Sequence, residues 1–139
     1  MRYAFTLERD GAAWLVRFPG IAEALTGVDD PEAERAEIAD CLITALAACA
    51  ADGAPLPAAP EIAAPAGVID VPLLVQAKLA LIRAMAEEKP GIRGLARRLG
   101  VDPRQVARLV DLDLYCRIAE LERALASLGR RIELQAKAA

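Results

Sequence analysis

Residues 53–67 read GAPLPAAPEIAAPAG, and this stretch limits the fold more than any other. Each of its four prolines lacks a backbone N–H and fixes its own φ, so neither a helix nor a paired strand is expected to run through it. The 139 residues should therefore form two modules rather than one continuous core. The expected boundaries are residues 1–52 for the first domain, 53–70 for a Pro/Ala-rich linker and 71–139 for the second. The first domain extends to residue 71 if the apolar stretch from Val68 to Val71 returns as a strand. Charge divides the chain at the same place. Residues 1–70 carry 4 basic and 12 acidic side chains, a net of −8, whereas residues 71–139 carry 13 basic and 8 acidic, a net of +5. Opposite signs imply modules with different partners.

The first half opens with strict alternation. Tyr3, Phe5 and Leu7 fall on one face, and Ala4 and Thr6 on the other. After a turn at Asp10-Gly11 the period resumes with Trp14, Val16 and Phe18 and stops at Pro19. This pattern predicts a β-hairpin with one buried, aromatic face. A short third strand is expected near residues 24–28. Asp30 can then cap a helix with Pro31 at its first position, running to about Asp52 before Gly53. Ala39, Leu42, Ile43, Leu46 and Ala50 would form its apolar stripe. The order is β-β-β-α(-β), a small α+β sandwich in which the helix covers the aromatic face.

The second half reads as helices. Leu74, Ala77, Leu81, Ala84 and Met85 mark one over residues 73–88; Ile118, Leu121, Leu125 and Leu128 mark another, ending at Gly129. Between them lies IRGLARRLGVDPRQVARLV, residues 92–110. Gly100 suits a sharp turn, Asp102 an N-cap and Pro103 the first helical position. Leu95, Leu99, Val106 and Leu109 form a seam between two short helices, with Ala96 where they approach closely. Alanine, glycine four residues on and valine six beyond is the spacing of a DNA-binding helix-turn-helix. The expected architecture is an all-α, repressor-like domain. Arg131–Gln135 alternates and could add a strand.

Six basic residues and a single acid, Asp102, lie between Lys89 and Arg108. Arg104, Gln105, Ala107 and Arg108 would face the major groove, where arginine and glutamine can read guanine and adenine edges. Lys89, Arg93, Arg97, Arg98 and Arg117 would meet phosphates and fix register. The partner implied is double-stranded DNA.

Other chemistry has little to stand on. Histidine is absent, which removes Ser-His-Asp and Cys-His catalysis and every His-containing zinc site. Cys41 and Cys49, eight residues apart on one predicted helix, are separated by roughly 12 Å along its axis, too far for a disulfide. With Cys116 they read as small apolar residues, and no CxxC pair offers a metal site. Glu8, Asp10, Glu23, Asp29 and Asp30 fall mainly in turns and on solvent faces, so a Mg²⁺-dependent nuclease is not expected. No enzyme activity, cofactor or metal is expected. The N-terminus lacks a signal-peptide pattern and no apolar run is long enough to span a membrane, so a cytoplasmic location is expected.

Both halves together resemble the HicB family of type II antitoxins, in the subgroup ending in a helix-turn-helix. The likeness covers residues 1–57, which begin MRYAFTLERDGAAWLVRF, and residues 78–132, which contain IRGLARRLGVDPRQVARLV; the order of the two halves is its specific element. The resemblance implies a partial RNase H-like fold without activity in the first half, which would bind and mask a small HicA-type toxin, an mRNA interferase. The second half would bind the operator of the toxin–antitoxin operon as a dimer or higher oligomer. The acidic first half suits a basic, RNA-binding partner. The chain departs from the family in DLDLYCR, where Asp111 and Asp113 stand in place of basic residues and oppose a phosphate backbone. The alternative reading is a stand-alone repressor whose N-terminal module senses a small molecule or dimerises.

Overall fold

The computed structural model describes residues 1–138. By its internal contacts the chain separates into two compact units. One comprises residues 1–50 with 54–73, the other residues 51–53 with Leu74 onward.

The first unit is a four-stranded sheet and one helix. Strands β1 (Arg2–Asp10), β2 (Ala13–Phe18) and β3 (Ile21–Val28) form an antiparallel meander, and β4 (Gly67–Asp70) pairs antiparallel with β1, giving the order β3-β2-β1-β4. The register sets Leu7 against Val16 and Tyr3 against Ile69, so the alternating apolar set lies on a single face. Tyr3, Phe5, Val16, Phe18, Ala24, Val28 and Ile69 are buried there, with the Phe5 and Phe18 rings 5.9 Å apart and tilted. Helix α1 (Arg35–Ala51) contributes the complementary stripe of Ile38, Leu42, Leu46 and Ala50. Each fully buried aliphatic side chain of this kind is worth roughly 1.5–3 kcal/mol relative to exposure.

Four details differ from the sequence reading. The third strand is longer and starts at Ile21. Regular helix begins at Arg35 rather than Pro31, because residues 31–34 form a turn first. Asp30 still receives the orphan donors: its carboxylate accepts from the N–H of Glu32 (3.0 Å) and Ala33 (3.2 Å), while Glu34 accepts from the N–H of Asp29 and Asp30. Ile38 replaces Ala39 and Ile43, which are half-buried, on the innermost line of the helix. Residues 53–66 carry no helix or strand, but 67–70, expected either as the end of the linker or as a returning strand, form β4. The Pro/Ala arm is held to the sheet, with the Tyr3 hydroxyl donating to Pro57 O (2.7 Å) and Ala66 N–H to Phe5 O (2.9 Å).

The second unit consists of helices α2 (Leu73–Glu88), α3 (Gly91–Leu99), α4 (Pro103–Val110) and α5 (Ile118–Ser127). Ala77, Leu81, Leu95, Ala96, Leu99, Val106, Leu109, Cys116, Leu121, Ala124, Leu125 and Leu128 make one continuous core. Ile118, expected on the α5 stripe, is 40% exposed; Ala124 takes the inner position. The alternating Arg131–Gln135 forms no strand. Instead the Arg130 guanidinium holds Glu87 at 2.6 Å.

Candidate nucleic-acid interface

The α3–α4 pair is built by the local signals in its sequence. Helix α3 ends at Gly100, which lies in the left-handed region (φ 66°), and the N–H groups of Gly100 and Val101 close on the carbonyls of Arg97 and Ala96. Asp102 is extended, its carboxylate accepts from Arg104 N–H at 2.8 Å, and Pro103 opens α4. Leu95, Ala96, Leu99, Val106 and Leu109 are all buried, so the predicted seam is the actual one. From α5, Arg123 donates to the terminal carbonyl of α3 at Leu99 (2.6 Å).

With the seam buried, the other faces of these helices are open. Arg104, Gln105, Ala107 and Arg108 are all exposed on α4. Arg93, Arg97 and Arg98 are exposed on α3. Lys89 is exposed in the preceding loop at a positive φ of 54°, an uncommon conformation for a side chain with a Cβ. Arg117, at the N-cap of α5, joins Gln105 and Arg108 around a surface concavity of about 200 Å³ that also includes Tyr115 and Glu120. Thus the four α4 residues share one helix, and Arg117 is brought beside them from a separate element. Lys89 and Arg93 stand at the opposite end of α3 from Arg97 and Arg98.

Asp111 and Asp113 are exposed at the end of α4. The Asp111 carboxylate turns inward on its own backbone and accepts from Asp113 N–H at 3.0 Å, which directs part of its charge toward a local donor. Beyond it, Leu114 (43% exposed) and Tyr115 (75% exposed) project into solvent.

Sequence reasoning missed Lys78 on α2. Its side chain is fully buried, and its ammonium donates to the carbonyls of Arg108 (3.0 Å), Asp111 and Leu114. Three donors meet three acceptors, which satisfies a group that is otherwise costly to bury. A signal was available: position 78 is four residues after Leu74 and three before Leu81, on the apolar stripe itself. A charge at a core position implies a built partner set.

The cysteines are free thiols. Burial pushes the Cys41 and Cys116 thiols up, away from the reactive thiolate form. The carboxylates considered for metal binding (Glu8, Asp10, Glu23, Asp29 and Asp30) are all exposed. Among the described residues no three His, Cys, Asp or Glu side chains converge on a possible metal position. No helix among them is long and apolar enough to cross a membrane.

No family model matches the chain. Individual relatives do. It is 36% identical over 136 residues to Antitoxin HicB 2 of Photorhabdus laumondii, an alignment covering 98% of this chain and 96% of that protein. It is 33% identical over 137 residues to Antitoxin HicB 1 of the same organism, covering 96% and 86%. Against Antitoxin HicB of Escherichia coli K12 the identity is 32% over 136 residues, covering 96% and 98%. Similarity at this level across both units is whole-length kinship rather than a shared motif, and the chain belongs to the HicB antitoxin family.

Proposed function

We propose that this protein is a non-catalytic antitoxin that masks a HicA-type mRNA interferase with its first unit and represses its own operon by binding operator DNA with its second. The observation that carries the reading is the end-to-end alignment with proteins named Antitoxin HicB, which leaves neither unit without a counterpart. Support for the second part is local. Arg104, Gln105, Ala107 and Arg108 stand on an open face of α4 while Val106 and Leu109 lock its other face into the core, the arrangement a recognition helix needs. Exposed Arg93, Arg97 and Arg98 on α3, with Lys89 and Arg117, supply phosphate contacts, and two copies would face half-sites about 34–36 Å apart. The first part draws support from charge: the net of −8 over residues 1–70 would attract a basic, RNA-binding toxin. The partial RNase H-like description of the first unit is supported by its β-β-β-α-β order.

The test is co-expression of the full chain with the short basic reading frame beside its gene. Co-purification of the two proteins and relief of growth arrest are expected. A toxin that stays unbound and active beside soluble, folded antitoxin would refute the masking role. One observation favours a second reading, a repressor with a ligand-sensing module. Phe5, Leu7, Trp14, Pro31, Glu32, Arg35 and Ala66 line an open cavity of about 470 Å³ in the first unit. That reading gains if no neighbouring protein is retained and a small molecule alters operator binding.

A further inference from the structure

Helices α3 and α4 end differently. At α3 the left-handed Gly100 lets backbone N–H groups turn back onto the last carbonyls. At α4 the capping residue is Asp111, with φ −83° and ψ 113°, an extended conformation that carries the chain away from the helix end. The carbonyl of Arg108, in the last turn, instead receives a hydrogen bond from Lys78 Nζ at 3.0 Å. The same ammonium holds the carbonyls of Asp111 and Leu114, so one side chain from α2 ties together the last turn of α4, its capping residue and the turn that follows. The position suits a cation, because the peptide dipoles of α4 leave partial negative charge at this end.

Arg108 is at once the residue whose carbonyl Lys78 holds and one of the side chains assigned to base reading. A base-reading arginine needs its backbone fixed to within a fraction of an ångström, since a bidentate hydrogen-bond pair loses its geometry when the helix end frays. We propose that Lys78 is the positioning residue of the recognition surface: from the core, it sets the height and direction at which Arg108 is presented to a base. The assignment rests on the DNA-binding reading given above. Lys78 touches no DNA, because its side chain has no exposed surface. Its action passes through the backbone of residues 108–114.

The experiment compares wild type, Lys78→Met and Lys78→Arg in the full chain. Methionine keeps the length of the stem and removes the donors; arginine keeps donors and charge. Affinity is measured across a salt titration on DNA from upstream of the gene and on a scrambled duplex, with amide exchange followed at Leu109–Leu114. For Lys78→Met the preference for the upstream DNA over the scrambled duplex is expected to fall at least tenfold. Affinity for scrambled DNA and its salt slope stay unchanged because no phosphate contact is lost. Amides of residues 109–114 exchange faster, and Lys78→Arg restores part of the preference.

A Lys78→Met protein that melts lower yet keeps its full preference below the transition would show a merely structural role and overturn the proposal. Equal losses on both duplexes with a shallower salt slope would overturn it as well, pointing to a direct phosphate contact. If wild type shows no preference between duplexes, the DNA-binding reading falls. Amide exchange then decides alone, and unchanged protection at 109–114 in Lys78→Met refutes the backbone tie. Should Lys78→Met fail to fold, Lys78→Gln, neutral and able to donate two hydrogen bonds, carries the same comparison.

Discussion

Two glycines of the sheet make a matched pair of perturbations with opposite expected signs. Gly67 on β4 lies opposite Phe5 on β1, and a Cβ built there would stand 2.5 Å from Phe5 Cζ and 2.7 Å from Cε1. The Phe5 ring is 3% exposed and packed on Phe18, so it has nowhere to swing. Overpacking of this kind costs about 1–3 kcal/mol. Gly→Ala also narrows the unfolded ensemble, which offsets about 0.4–1 kcal/mol. The net for Gly67→Ala is a loss centred on about 1.3 kcal/mol, or roughly 5–10 °C in melting temperature for a unit of this size. At Gly27 on β3 the nearest atom to a built Cβ is Trp14 O at 3.9 Å, an ordinary contact, so only the entropic gain remains. Gly27→Ala should therefore leave stability unchanged or raise it by about 0.4–1 kcal/mol. Trp14 is the sole tryptophan and sits in the same sheet, so its fluorescence during thermal unfolding reports this unit selectively. Gly67→Ala melting at or above wild type, or Gly27→Ala falling as far as Gly67→Ala, would refute the reasoning.

Three further outcomes are expected. Arg108→Ala should cost about 1–3 kcal/mol on the operator and relax preference at one base, whereas Arg97→Ala should weaken all sequences alike and reduce the salt slope by about one ion; equal losses of Arg108→Ala on operator and scrambled DNA would remove it from base reading. Trp14 is half-buried, with the Arg9 guanidinium 4.6 Å above its ring, so Trp14→Ala should destabilise by less than the roughly 3–5 kcal/mol of a fully buried Trp. Circular dichroism melts decide this, and complete unfolding at room temperature would contradict it. The hydrogen bond from Arg130, with the ion pair to Arg83, holds the Glu87 carboxyl below its ordinary value of 4.5. A depressed folded-state pKa stabilises above 4.5 and loses that contribution as pH falls through the folded value, so Arg130→Ala should move the Glu87 titration upward by NMR.

The features legible in the sequence are those specified by neighbours along the chain. The Tyr3/Phe5 and Val16/Phe18 alternation and the Gly100–Asp102–Pro103 turn each depend on residues a few positions apart and form where expected, and Asp30 takes its local donors although regular helix starts only at Arg35. What was illegible depends on distant partners. Whether Gly67–Asp70 is linker or strand is decided by β1, more than sixty residues earlier. Arg131–Gln135 alternates as well as β1 does yet forms no strand, because alternation does not by itself supply the paired backbone a ladder requires. The surface arginines of the candidate interface were readable because exposure follows from the period of the helix. Lys78 stands out as a charge on the apolar stripe, but its partners were not readable, because the carbonyls that receive it lie 30–36 positions further on.

The order β3-β2-β1-β4 also governs the sequence of events during folding. The meander closes from contacts within the first 28 residues, whereas β4 must cross the whole length of α1 and the arm before it meets β1. Contacts of such long separation form late, and until then β1 keeps an open edge able to template pairing with another chain. The arm limits that hazard. Once α1 has packed on the meander, the arm's 14 residues, 53–66, reach at most about 43 Å even as an extended Pro-rich chain, which holds β4 at an effective concentration on the millimolar scale around its own β1. At micromolar protein, β4 therefore meets its own edge about a thousand times more often than a neighbour's, and self-closure outruns strand exchange between copies.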